Sequence, residues 1–477
     1  MRAEAETTTR PGVVLTVLAL AGCAYALLQS LVVPALPVLQ HDLHTSTSGV
    51  TWIFTSYLLA ASVVTPIAGR LGDMYGKKRV LVITLGGLVL GTLLSAVVHS
   101  LALMIAGRTI QGLGGAIFPL AFGIIRDEFP RERVAGAIAL VSGILGIGGG
   151  LGIVLAGPIL KGLDYHWLFW IPLVVTAGAT AAAIVLIPES RVRAAGDVHW
   201  LGALLLSGWL VALLLAVSEA PTWGWGSSKT IGLLILAAVV AAGWVQAETR
   251  SEHPLVDMRM MRLAGVWTTN LAAMLIGFGM YSAFILIPQF VQTPASTGYG
   301  FGASVSQAGL FLVPTTIAML VFSPIGGRLS NVVGSKVPLV AGAAVTALSF
   351  VVLATASARW EVYVASALLG IGVGFAFASL ANLIVEAVRP DQTGIASGMN
   401  TIVRTIGGAI GAEIAASILA ADALASGYPA KHGYTLTFWL CAAVVAIGIL
   451  ASLAVPGRRR AAATVGVPEP AAAADSP

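Results

Sequence analysis

The chain has 477 residues, 57% of them hydrophobic and 10% charged, and its mean hydropathy is +0.92. Soluble domains carry about 25% charged residues, so a soluble enzyme is excluded, and two cysteines exclude a secreted disulfide scaffold. What remains is a polytopic membrane protein. The formal charge of +5 would suggest nucleic acid in a soluble chain, but here the basic residues must first be sorted by membrane side. Cys23 and Cys441 lie in apolar runs near opposite ends and read as small hydrophobes.

Fourteen apolar segments reach spanning length, and each is expected to be a helix because the bilayer interior leaves backbone groups no other partner short of a barrel. They cover residues 13–38, 50–71, 80–98, 101–125, 134–160, 167–187, 200–218, 230–247, 264–290, 305–329, 337–357, 361–385, 395–420 and 434–455. Leu20-Ala21-Gly22-Cys23 resembles a lipoprotein cleavage box, yet the apolar run continues to Val38, so the first segment is read as spanning. One set of connections holds Arg2, Arg10, Arg70, Lys77, Lys78, Arg79, Arg126, Arg131, Arg133, Arg191, Arg193, Arg250, Arg259, Arg262, Arg328, Lys336, Arg389 and Arg458 to Arg460. The other holds Lys161, Lys229, Arg359 and Lys431. This asymmetry places both termini in the cytoplasm and gives the positive charge a topological role, with no nucleic acid. The Ala/Pro-rich tail after Arg460 has too little apolar surface to fold.

A repeat relates the two halves. Gly69-Arg70-Leu71-Gly72-Asp73-Met74-Tyr75-Gly76-Lys77-Lys78 follows the second segment, and Gly327-Arg328-Leu329-Ser330-Asn331-Val332-Val333-Gly334 follows the tenth. The expected fold is all-α and integral to the membrane: two six-helix bundles plus two linking helices. The expected divisions are a cytoplasmic segment 1–12, a bundle 13–187, a linker with two helices 188–262, a bundle 263–455 and a disordered tail 456–477. The glycines suit a tight turn, and Asp73 is expected to hold the halves together at a helix terminus or an Arg.

Three ionisable residues lie well within the segments: Arg108, Arg404 and Glu413. A charge at the bilayer centre costs about 3 kcal/mol, so each needs a cavity or a partner. Arg108 and Gln111 share a helix face. Arg404 and Glu413 lie on opposite faces of one helix, and Glu413 is the leading proton carrier on this reading. With two arginines against one acid, neutral or anionic cargo is expected over dications, with Arg404 meeting it. Gln29, Tyr57, Phe118 and Phe284 are candidate cavity residues, alongside Tyr25, Trp52 and Phe311. Small-residue ladders hold Gly146, Gly148, Gly150 and Gly152 in the fifth segment and Gly407 and Gly411 in the thirteenth, which suits either tight packing or a rocking contact. Neither a phosphate-cradling GxxxxGK[ST] loop nor a His/Cys cluster with metal spacing is found, so no ATP, cofactor or metal is expected.

Gly69-x-Leu71-x-Asp73-x-x-Gly76-Lys77-Lys78 and Arg108-Thr109-Ile110-Gln111-Gly112-Leu113-Gly114-Gly115 resemble motifs of the major facilitator superfamily. Trp223-Gly224-Trp225 and Glu248-x-Arg250-x-x-x-Pro254-Leu255-Val256-Asp257 resemble its fourteen-helix drug:proton antiporter branch. The resemblance implies alternating access, a conformational-switch role for the loop from Gly69 to Lys78 with a second copy at Gly327, Arg328, Asn331 and Gly334, and proton coupling through Arg108 and Gln111. Leu28 stands where the branch carries Asp, Val33 where it carries Asn, and Ile153 where it carries Pro.

The expected function is a monomeric secondary transporter of the bacterial plasma membrane that exports small lipophilic compounds, coupled to protons. One alternative is a lipid or lipophilic-metabolite transporter with weak or no coupling. A second is a non-transporting receptor or scaffold.

Overall fold

The computed structural model describes residues 11–45, 47–190, 199–422, 424 and 428–456. The tail and the basic residues Arg2, Arg10, Arg191, Arg193 and Arg458 to Arg460 lie outside the described residues.

Fourteen long apolar helices carry the fold. They are α1 Pro11–Leu31, α2 Thr47–Tyr75, α3 Lys77–Val97, α4 Leu101–Glu128, α5 Arg131–Gly162, α6 Trp167–Leu186 and α7 Trp200–Trp223. Then follow α8 Ser228–Arg250, α9 Ala264–Gln292, α10 Val305–Val333, α11 Lys336–Thr355, α12 Arg359–Ala387, α13 Thr393–Ala421 and α14 Lys431–Ala454. Bulky apolar side chains such as Ile83, Val174, Val185 and Leu204 stay exposed on the perimeter, where lipid is their solvent.

Two departures from the expected spans have local causes. The first segment ends as a helix at Leu31, followed by a 3-10 turn Val33–Ala35 and a short helix Leu36–Asp42. Pro34 and Pro37 lack the N–H that a continuing helix needs. The seventh extends to Trp223 and so takes Glu219 into α7. Glu413 is therefore not alone among acids within a span. The chain leaves α7 at Gly224, whose φ of 90° favours glycine.

One apolar cluster is built largely from α1 to α6 and another from α9 to α14. The linking helices α7 and α8 pack on each other, α7 also reaching α2 and α13, and α8 remains largely exposed. The halves meet along two equivalent pairs, α2 with α13 and α5 with α10. Each copy of the repeat supplies a glycine to one pair. A Cβ at Gly69 would stand 2.6 Å from the carbonyl oxygen of Gly394 in α13, and one at Gly327 would stand 2.4 Å from Cβ of Ala139 in α5. Each copy closes on a glycine with positive φ, Gly76 at 110° and Gly334 at 85°.

α4 is broken inside the membrane. Its Leu101–Gln111 and Ile117–Glu128 parts are α-helical, and the Gly112–Ala116 stretch between them is a 3-10 turn. Here a Cβ on Gly112 would meet Ala60 at 2.4 Å and one on Gly115 would meet Thr65 at 2.6 Å. Backbone thus approaches backbone where any side chain would hold it off.

Because the obstacle at Gly69 is backbone, Gly69→Ala should drive α2 and α13 apart. Spin labels at Tyr75 and Gln392, on a background with Cys23 and Cys441 replaced by Ser, should show a longer distance distribution in the variant. An unchanged distribution would mean that the helices slide past the methyl group.

A latched polar centre between the two halves

Hydrogen bonds between the halves gather at the end that carries the basic loops. Both carboxylate oxygens of Asp73, at the end of α2, accept from the first turn of α13: Oδ1 from the Gly394 N–H at 3.2 Å and Oδ2 from the Ile395 N–H at 3.1 Å. Two of the helix's unsatisfied donors are thereby filled by an anion at the positive end of its dipole. Arg126 of α4 donates to Thr393 Oγ1 at 2.7 Å and to the Val388 carbonyl at 2.9 Å. On the equivalent face Asn331 donates to the Glu132 carbonyl at 3.0 Å, Asn382 to Ala135 at 3.4 Å, and Ser323 to Ala139. Asn331 thus meets α5 where Asp73 meets α13, with donor and acceptor exchanged.

Behind this contact lies a fully buried cation. Lys77 Nζ is 2.8 Å from Asp127 Oδ2 and 3.7 Å from Asp73 Oδ1, and Ser190 also donates to Asp127. One lysine therefore couples the acid that touches the other half to an acid on α4. The next residues face outward from the latch: the Lys78 N–H donates to Glu189 at 3.2 Å and Arg79 lies 3.7 Å from the same carboxylate. Arg70 is half-buried with its Nε unpartnered, Leu71 packs on the first core, and Arg328 is exposed.

Arg108 is enclosed in the first half. It donates to the carbonyls of Ile53 at 3.1 Å and Leu28 at 3.2 Å and to Gln111 Oε1 at 2.6 Å, and its guanidinium lies 4.3 Å from the Tyr57 ring centroid. Gln111 passes the contact on to Ser95 at 3.1 Å. No acid pairs with Arg108 among the described residues. The backbone of Leu28 receives it where a carboxylate was expected.

Arg404 sits differently. It lies eleven residues into α13 from Thr393, or about 16 Å from the latch at about 1.5 Å per residue. Its guanidinium stands 4.4 Å from the Phe377 centroid, and its Nε has no hydrogen-bond partner among the described residues. Two cavities adjoin it. One lies toward the latch, between Phe118, Phe122, Ser142, Phe377, Ser397 and Arg404. The other is bounded by Tyr25, Gln29, Thr65, Phe118, Tyr281 and Arg404. Of the expected cavity residues, Tyr25, Gln29, Phe118 and Arg404 are brought together here. Tyr57 instead packs under Arg108 and against Tyr25, and Phe284 packs on the second core.

Glu413 lines neither cavity. It is half-buried further along α13, where it feels the like charge of Glu219 on α7. Its carbonyl accepts from Ser417, which in turn accepts from the Trp225 indole at 2.7 Å. Arg108 is not its partner, since Arg108 bonds Leu28, Ile53 and Gln111. The ladder glycines mostly serve packing within each half: Gly148 and Gly152 approach Ala26 and Ser30 of α1, while Gly407 and Gly411 approach Met274 and Phe278 of α9. Gly150 meets Thr316 of α10 across the halves, and Gly146 lies on α5 four residues before it.

Sequence reasoning missed Phe377 and the Lys77–Asp127–Ser190 network, whose parts lie far apart in the chain. It named Arg404 without the polar stripe that Ser397, Asn400 and Thr401 form with it. That stripe had a signal in its i, i+3, i+4, i+7 spacing on one helix face.

A fourteen-helix chain whose halves pack through equivalent helix pairs around a polar centre defines an integral membrane protein of the transporter class. The Major Facilitator Superfamily profile matches residues 18–412 and 269–474, and the chain belongs to that family. It is 29% identical over 416 residues to the tetracenomycin C resistance and export protein of Streptomyces glaucescens, covering 86% of this chain and 76% of the relative. It is 30% identical over 391 residues to multidrug resistance protein Stp of Mycobacterium tuberculosis strain CDC 1551, covering 81% and 72% respectively. The crystal structure of the human organic anion transporter MFSD10 (TETRAN) superimposes with a TM-score of 0.69 at 16% identity, over 93% of this chain and 99% of that one, which establishes a shared fold. The chain is a multi-pass protein of the bacterial inner membrane.

Hydrogen bonds to a charged group contribute about 1.5–3 kcal/mol each. Asp73→Asn keeps the shape but gives up the charge and one acceptor, so the latched state should lose roughly tenfold in population. The same spin-label pair should report a larger open fraction at unchanged expression and thermal stability. An unaltered distribution would reduce Asp73 to a topological element.

Proposed function

We propose that this protein exports lipophilic or amphipathic compounds by alternating access, with the basic loops and both termini cytoplasmic and a bundle on each side of linking helices α7 and α8. The observation that carries this reading is the latch. Asp73, Arg126, Asn331 and Asn382 join the halves at the basic end, while the cavities at Arg404 are walled by helices from both halves. Separation at the latch would open these cavities to the cytoplasm. The names of the relatives, a tetracenomycin export protein and a multidrug resistance protein, support the direction and the class of cargo.

Proton coupling is assigned to Glu413. It is the acid within α13, the helix that also bears the latch contact and Arg404, so its protonation can bias the same element that opens and closes. A second reading, transport with weak or no coupling, is favoured by one feature: the acceptors that reach Arg108 are carbonyls and Gln111, with no carboxylate to exchange a proton among the described residues.

The two readings separate in proteoliposomes with an imposed pH gradient. Glu413→Gln should abolish gradient-driven accumulation of a transported dye while leaving dye exchange at equal pH within about twofold. Undiminished gradient-driven transport would remove Glu413 from the mechanism. A wild type indifferent to the gradient would favour the uncoupled reading.

A further inference from the structure

The cavity between Arg404 and the latch contains more unmet hydrogen-bonding capacity than its walls require. Ser142 is 4% exposed, Ser397 3% and Arg404 9%, yet Ser142 Oγ, Ser397 Oγ and Arg404 Nε all lack a partner among the described residues. Buried polar atoms are ordinarily satisfied, and three orphans lining one cavity point to a ligand that supplies acceptors. Ser397 and Arg404 are seven residues apart on α13 and so share a face. Ser142 comes from α5 in the other half. The remaining polar neighbours are already engaged, Asn400 with Asn270 at 2.8 Å and Thr401 with the Ser397 carbonyl at 3.0 Å.

Charge narrows the ligand further. Among the described residues Arg404 is the one ionisable side chain, apart from the phenols Tyr25 and Tyr281, that lines either cavity, and no acid lines them. A guanidinium in the membrane interior without a counter-ion is costly, and Phe377 answers it only through its ring face. A carboxylate, enolate or sulfonate would bring both the missing charge and the missing acceptors, in the planar geometry that a guanidinium matches. The cavity, about 20 Å³, has room for the acidic group alone, and Phe118, Phe122 and Phe377 around it offer aromatic faces to a flat ring system as the halves separate.

We propose that Arg404, Ser397 and Ser142 form an anion-binding subsite that holds the acidic group of a planar aromatic cargo between the two halves. This rests on the reading of the chain as an exporter of amphipathic compounds and adds the charge of what is exported. Since Ser142 and Arg404 belong to different halves, the anionic group also bridges them, and cargo binding favours the state in which both reach it.

The test uses the purified full-length chain with anthraquinone-2-carboxylate, its carboxamide and 2-(aminomethyl)anthraquinone, which share a ring system and differ in charge. Wild type should bind the carboxylate about tenfold more tightly than the amide and the ammonium more weakly than either. Arg404→Gln should remove the preference by weakening the carboxylate about tenfold more than the amide, Arg404→Lys should retain part of it, and Ser142→Ala should weaken the carboxylate by about threefold and the amide less. Equal wild-type affinities for carboxylate and amide, or a preference that survives Arg404→Gln, would overturn the subsite. Should Arg404→Gln not fold, the wild-type comparison and the Lys variant still decide. Efflux of the same compounds from proteoliposomes is read separately: charge-selective binding without transport keeps the subsite and removes the exporter reading, while transport indifferent to charge does the reverse.

Discussion

The arrangement depends on a carboxylate meeting a helix end. Asp73 fills two amide donors in the first turn of α13, and it reaches them only because Gly69 and Gly394 let the two backbones touch. Lys77 lies behind that carboxylate and ties it to Asp127. Arg126 secures the same helix end from α4. Hydrogen bonds of this kind are directional and cheap to remake elsewhere, so a contact built from them separates without dismantling either core. The apolar clusters lie largely on each side of it, although Ala381 and Val385 of α12 join the first, and a third, on α7, α12 and α13, takes in Leu59 and Ile67 of α2.

The two buried arginines show how differently the halves treat one chemical group. Arg108 is enclosed by three acceptors and the face of Tyr57, and lines neither cavity. Arg404 has one aromatic face and an unmet Nε at the junction of two cavities. Access decides which of them is available: Arg108 Nη2 and Arg404 Nε both lack a partner among the described residues, but Arg404 borders space that a ligand could enter, where it would gain hydrogen bonds and a counter-charge. Pseudo-symmetry of the helices therefore does not extend to the chemistry of the centre.

The linking helices are not passive spacers. α7 packs on both α2 and α13, the pair that forms one seam between the halves. It carries Glu219 toward Glu413, and the Trp225 indole beyond it bonds Ser417 one turn from Glu413. A helix set against both sides of the seam touches both halves at once.

Composition, hydropathy and basic-residue asymmetry determined the class of fold and the fourteen helices, because the bilayer lets few backbone solutions exist and leaves a period-free apolar run as their signature. The repeat at Gly69 and Gly327 and the place of Asp73 in it were equally readable, since a tight turn demands glycine at fixed spacing. Pairing was not. Glu413 and Arg108 were both visible as buried charges, but whether they met depended on helix rotation and packing, and Arg108 went instead to Leu28, Ile53 and Gln111. Likewise Ser142, Phe377 and Arg404 lie on three different helices and share one cavity only in the folded chain. A linear sequence records which groups must be satisfied; which neighbour satisfies them, and which group is left waiting for a ligand, is settled by the rotation and approach of helices far apart in the chain.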